Sequence, residues 1–211
     1  MQSNSASSIR RWFMDHIDDG EFVHLSRDVP YHVVVPSGDA DPLIYVTKPV
    51  IVGRLFSECV STSDFGMVGR YGLPSDVDAA WIRGLVGSRD MFFLGDMDPV
   101  DLLVFGWLRA SLTPKDVRYM GVSDALLGAL SIKSPEFLVL PCTASERECI
   151  PFLEAVLPDL QQWIGSQCLN ILKQGQKLEI DGVANIDIQN LGAALERVRQ
   201  DTKGNGDEAR P

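Results

Sequence analysis

The sequence predicts an α/β chain, with a parallel sheet of four to five strands flanked by helices, a short N-terminal arm and a helical C-terminal extension. Two observations carry this reading. From Leu43 onward, short apolar runs alternate with longer segments of helical periodicity, the rhythm of a parallel sheet wrapped by helices. Those runs are nearly unbroken by polar residues, as expected of strands covered on both faces. The 211 residues, 45% of them hydrophobic, are enough for one sizeable core.

Residues 1–42 read as an arm. After a serine-rich start, Ser8 is placed to cap a helix "IRRWFMDHIDD" whose Ile9, Trp12, Phe13 and Ile17 share a face before Gly20. Extended segments broken by Pro30 and Pro36 follow. The main unit spans 43–200. Its strands are "PLIYVT", "FGMVGRYG", "MFFLG" and "VRYMGV", with "EFLVLPC" as a candidate fifth. The helices between them are "KPVIVGRLFSECV", "SDVDAAWIRGLVG", "PVDLLVFGWLRASL" and "SDALLGAL". Beyond Cys142 the pattern is helical, with breaks or kinks expected around Pro151 and Pro158. Residues 201–211 are polar and lack apolar periodicity, so a disordered tail is expected.

Composition excludes several classes. Nineteen Lys and Arg against 29 Asp and Glu give a net charge of −10, the wrong sign for a protein that grips a duplex unaided. The pairs Arg10 with Arg11 and Arg83 with Arg89 read as solvated faces. No apolar run is long enough for a bilayer span and the N-terminus lacks the core of a secretory signal, so a cytoplasmic protein with no membrane partner is expected. Cys59, Cys142, Cys149 and Cys168 form no C-x-x-C pair, and His16, His24 and His32 are confined to the arm. Neither a zinc site nor a disulfide framework follows, and the thiols are expected to be buried and reduced.

The candidate chemistry lies in "GDMDPVDLL". In open α/β sheets ligands bind beyond the carboxyl ends of the strands, and only the third strand ends in paired carboxylates, Asp96 and Asp98. Two readings stand. The pair holds Mg²⁺, which prefers hard oxygen donors, or Asp98 caps the next helix while Asp96 is a solvated turn residue. Asp101 adds a third acid that either joins the metal or decorates the first helical turn.

The order of these segments resembles the Toprim domain, most of all that of the DNA-cleaving subunit of topoisomerase VI and the meiotic double-strand-break transesterases, and also the Wadjet nuclease subunit. "GDMDPVDLLVFGWLR" is similar to the family's G-D-x-D-P-x-G and helix. "VRYMGVSDALL" resembles its strand ending in an aromatic, a hydrophobic and glycine before an aspartate. "WIGSQCLNILKQGQKLEIDGV" resembles its closing run to K-x-E-I, and the likeness covers about residues 43–190. It implies a Toprim-like, Rossmann-like sheet, with Asp96, Asp98 and, in one reading, Asp101 as Mg²⁺ ligands. Two departures count against cleavage. Thr47 stands where the family's first strand ends in glutamate, and a hydroxyl cannot take over a carboxylate's proton transfer near neutral pH. Glu58 is too far along its helix to substitute. The tyrosine-bearing winged helix that precedes Toprim in the topoisomerase relatives has no room in the arm, and Tyr31 and Tyr45, in extended segments, read as packing residues.

The expectation is therefore a divergent, stand-alone Toprim-like protein in a binding or assembly role, not a competent DNA-cleaving enzyme alone. The alternative is Mg²⁺-dependent phosphodiester chemistry with a partner chain that supplies DNA binding or ATPase function. A weaker third reading, a nucleotide at "GRYGLPSD", lacks a G-x-G-x-x-G or G-K-[ST] loop.

Overall fold

The computed structural model describes residues 3–16, 31–34, 38, 41–58, 65–112 and 116–207. Helix α1 spans Ser3–His16 and strand β1 His32–Val34. Then come β2 (Leu43–Val46), α2 (Pro49–Glu58), β3 (Gly66–Gly69), α3 (Asp76–Val86), β4 (Met91–Leu94) and α4 (Pro99–Ser111). Strand β5 (Val117–Tyr119) and α5 (Asp124–Ala129) lead through a 3-10 turn, Pro135–Leu138, to β6 (Val139–Pro141). The chain closes with α6 (Ala144–Val156), α7 (Leu160–Ile164), α8 (Ser166–Lys173), β7 (Gln176–Leu178) and α9 (Ile180–Asp207), the last kinked at Asp187.

The main sheet has the order β1-β3-β2-β4-β5. Strands β3, β2, β4 and β5 are parallel, and every residue of β2, β3 and β4 is buried, as their unbroken apolar runs predict. From β2 the chain moves outward to β3 and then crosses back to place β4 on the other flank of β2. The strand order reverses between β2 and β4, and in sheets of this kind the crevice beyond that point is the natural ligand site. Helices α1, α3 and α6 pack on α4, whereas α9 packs on α2 and α5. Phe93 anchors the aromatic core, with ring centroids 6.2 Å from Tyr45, 5.6 Å from Phe105 and 5.9 Å from Tyr119.

Five expectations are corrected. The fifth strand of the main sheet is β1 from the arm, antiparallel to β3, which shields the backbone edge that β3 would otherwise leave unpaired. "EFLVLPC" instead supplies β6, paired antiparallel with β7 in a separate two-stranded sheet. Helix α1 begins at Ser3, ahead of Ser8, and it buries Ile9, Trp12 and Phe13. Pro151 is accommodated inside α6, so the break falls at Pro158 alone, between α6 and α7. The last helix also runs to Asp207, into the segment for which disorder is expected from composition. Cys59, His24, Ile17, Gly20, Pro30, Pro36 and residues 208–211 lie outside the described residues.

Candidate functional site

Thr47, Asp96, Asp98 and Asp101 meet at the β2/β4 reversal, where with Lys48, Tyr71, Glu146, Lys177 and Glu179 they line a cavity of about 350 Å³. The local sequence explains how. Strand β4 stops at Leu94, and Asp98 adopts extended φ/ψ as the N-cap of α4, with Pro99 in the first turn, where a missing N–H costs nothing. The Asp98 Oδ1 accepts from the Asp101 amide at 2.7 Å. Asp101 turns back under the loop, and its Oδ2 accepts from the Asp96 amide at 2.8 Å and from the Thr47 hydroxyl at 2.6 Å. Gly95 is what lets it in, because a Cβ there would lie 2.6 Å from that same oxygen. Tyr119 donates its hydroxyl to the Asp96 carbonyl at 3.0 Å, tying the loop to β5.

Asp96 is only 3% exposed and so is not a solvated turn residue. Its Oδ1 accepts from the Ile180 amide at 2.8 Å, which caps the start of α9 from outside that helix. Its Oδ2 lies 2.8 Å from Lys48 Nζ. The same ammonium is 3.1 Å from Asp181 and 3.4 Å from Glu179, the residues flanking Ile180. On the opposite wall Lys177 pairs with Glu146 at 2.8 Å, and Glu146 closes a capping box with Thr143 at the start of α6.

Five acids and two lysines line the cavity, and their crowding shows in their ionisation. Burial, reinforced by Asp96, pushes the Asp98 carboxyl up to about 7. Burial and the charges of Asp98 and Asp96 raise Asp101 well above the usual carboxylate range, against the pull of the Thr47 hydroxyl. Burial works against the charge on Lys48, but Asp96 and Asp181 outweigh it and raise the ammonium above its ordinary value. Glu146 is lowered because its hydrogen bonds from Lys177 and Thr143 overcome its burial.

Among the described residues no three His, Cys, Asp or Glu side chains are placed to hold a metal ion together. Magnesium takes oxygen ligands at about 2.1 Å in near-octahedral geometry. A divalent ion on Asp96 would share its Oδ2 with the Lys48 ammonium, two cations on one oxygen, so the donors suit Mg²⁺ in kind but not in arrangement while Lys48 stays. The second lysine of the cavity, Lys177, is engaged with Glu146 and with Glu179, at 3.6 Å from the latter.

Other sequence candidates fall elsewhere. Glu58 ends α2 beside Arg54, at 3.5 Å. Asp124 accepts from the Gln167 and Cys168 amides, both at 2.9 Å, and so caps α8. Cys142, Cys149 and Cys168 are buried free thiols. Tyr45 is fully buried in the sheet, and Tyr31 packs on Trp81 with ring centroids 4.8 Å apart. Lys48 and Glu146 are functional-site residues that sequence reasoning misses. The first follows directly on the strand-ending Thr47, and the second sits in a T-x-x-E capping pattern legible as a helix start. Compared with known proteins, the chain matches no family model and no curated protein sequence.

Thr47→Val removes one of the two donors to the buried Asp101 Oδ2 without changing shape. The expected cost is about 1–3 kcal/mol, read as a lower urea midpoint at unchanged slope.

Proposed function

We propose that this chain is a divergent Toprim-like module, related to the DNA-cleaving subunit of topoisomerase VI, that acts as a binding or assembly unit and does not cleave DNA by itself. The observation that carries the reading is the ion pair between Lys48 and Asp96, which fills with a side-chain cation the first of the two aspartates on which metal chemistry would depend. Thr47 supports it, because its hydroxyl is spent on Asp101 and offers no carboxylate at the end of β2. The net charge of −10 and an arm whose described part packs into the core as a helix and an edge strand support it too.

The test is calorimetric titration of the full chain with Mg²⁺ and Mn²⁺, beside an Asp96→Asn, Asp98→Asn double variant, with nicking of supercoiled DNA followed in parallel. No saturable binding at millimolar metal and no nicking are expected. Saturable binding by the wild-type chain that disappears in the double variant would sink the proposal.

A second reading is Mg²⁺-dependent phosphodiester chemistry with a partner that supplies the DNA grip. It is favoured by one observation, the raised carboxyls of Asp98 and Asp101: burial lifts both, Asp96 adds to the rise at Asp98, and Asp98 with Asp96 adds to it at Asp101. Bound at these acids, a divalent cation would relieve the crowding and supply a Lewis acid for a phosphate oxygen. Asp98 and Asp101 would hold it, and Lys48 would have to leave Asp96.

A further inference from the structure

We infer that Lys48 is a built-in cation that stands in for a divalent ion at Asp96, and that neutralising it would open the Asp96 carboxylate to a divalent cation. This deepens the first reading above and rests on it, since it supplies the reason the unaltered chain would hold no metal in this cleft.

The geometry assigns Lys48 an unusual load. Its ammonium contacts carboxylates from two distant stretches of chain, Asp96 at the end of β4 and Glu179 with Asp181 at the start of α9. Asp96 reaches the same place from the other side by accepting the Ile180 amide. One positive charge therefore joins the end of the sheet to the first turn of α9, which is what a bridging metal ion does with carboxylates from separate segments. Lysine suits this role because its ammonium is a compact point charge on a flexible stem. It also enforces selectivity, because a dication approaching Asp96 meets a fixed like charge on the oxygen it needs.

Removing that charge leaves Asp96, only 3% exposed, with one backbone donor and two acidic neighbours at the start of α4, Asp98 and Asp101. A buried carboxylate without its partner is strongly unfavourable, and an oxygen-seeking dication is the ligand that would neutralise it. Methionine is the fitting replacement, being unbranched and of similar length but uncharged.

The experiment compares wild type, Lys48→Met and Lys48→Arg as full chains, titrated with Mn²⁺ and read by the electron paramagnetic resonance of the free ion, with thermal melts alongside. Lys48→Met is expected to bind Mn²⁺ at least about tenfold more tightly than wild type, and to lose that binding when Asp96→Asn is added. Lys48→Arg, which keeps the charge, is expected to match wild type. If Lys48→Met lacks a cooperative melt in the absence of metal, Mn²⁺ is expected to restore one. A folded Lys48→Met that, like wild type, shows no saturable Mn²⁺ binding, or an unfolded one that Mn²⁺ does not rescue, overturns the inference and leaves the binding-module reading intact. Binding by wild type as tight as by Lys48→Met overturns both.

Discussion

Gly165→Ala is expected to lower the melting temperature by about 10 °C, an effect out of proportion to a single methyl group. Gly165 joins α7 to α8 with φ 87° and ψ 171°, a conformation open in practice to glycine alone and costing other residues about 1–3 kcal/mol. The added Cβ would also collide with the Asp124 carboxylate. That carboxylate accepts the Gln167 and Cys168 amides, so displacing it strips the cap from α8, at about another 1 kcal/mol. The sum is a large part of the roughly 5–15 kcal/mol typical of a whole domain. Differential scanning calorimetry checks it, with Asp124→Gly as the background that separates the two causes. There the collision is gone, and Gly165→Ala should cost only its backbone strain. An unchanged melting temperature in the wild-type background would mean that the α7–α8 turn can reshape freely and that Asp124 is not held by it.

Asp124 illustrates how far the sequence can be read. The aspartate after "VRYMGVS" stands out by resemblance, yet its two oxygens serve α8, at Gln167 and Cys168. Local signals are more faithful. The apolar runs of β2, β3 and β4 are buried throughout, and Ser75, Asp98, Ser123 and Thr143 cap helices as such residues do. Gathering Thr47, Asp96, Asp98 and Asp101 in one cleft also follows from the sequence, because the strand ends of a doubly wound sheet converge there.

What escapes is long-range. The extended segment that forms β1 does not say which strand it will pair with, and "EFLVLPC" is as apolar as a core strand although it ends in a two-stranded sheet with β7, three helices further along the chain. Nothing local tells Lys48 that its acidic partners lie at Asp96 and 131 residues away at Glu179, nor tells Asp96 that it will receive the Ile180 amide. Paired acids in a turn therefore look like either ligands or solvated groups. The structure makes Asp98 the cap of α4, as one sequence reading has it, and gives Asp96 an occupation neither reading names, a buried acceptor that caps α9, while leaving both on the wall of the cleft.

The charge state of that wall gives the other large prediction, that Asp98→Asn stabilises the protein above neutral pH. The Asp98 carboxyl sits near 7 in the folded chain, raised by burial and then by Asp96, against about 3.9 for an unfolded aspartate. The folded state therefore binds the proton more tightly. The stability this contributes is complete below about pH 4 and is lost as pH rises through about 7, because folding must then bury the charge or hold the proton against solvent. Asparagine keeps the acceptor that caps α4 and never ionises. The variant should match wild type near pH 4 and exceed it near pH 8 by as much as about 4 kcal/mol, the full worth of moving a carboxyl from about 3.9 to about 7. Urea unfolding across that range measures the difference. Burial raises the Asp96 carboxyl as well, against the pull of Lys48, but Asp96→Asn should destabilise, since it removes the closest carboxylate from Lys48 and weakens the acceptor for the Ile180 amide. If Asp98→Asn instead destabilises near pH 8 but not near pH 4, the Asp98 charge is held favourably in the folded chain, as a cation beside it, of the kind the second reading requires, would hold it.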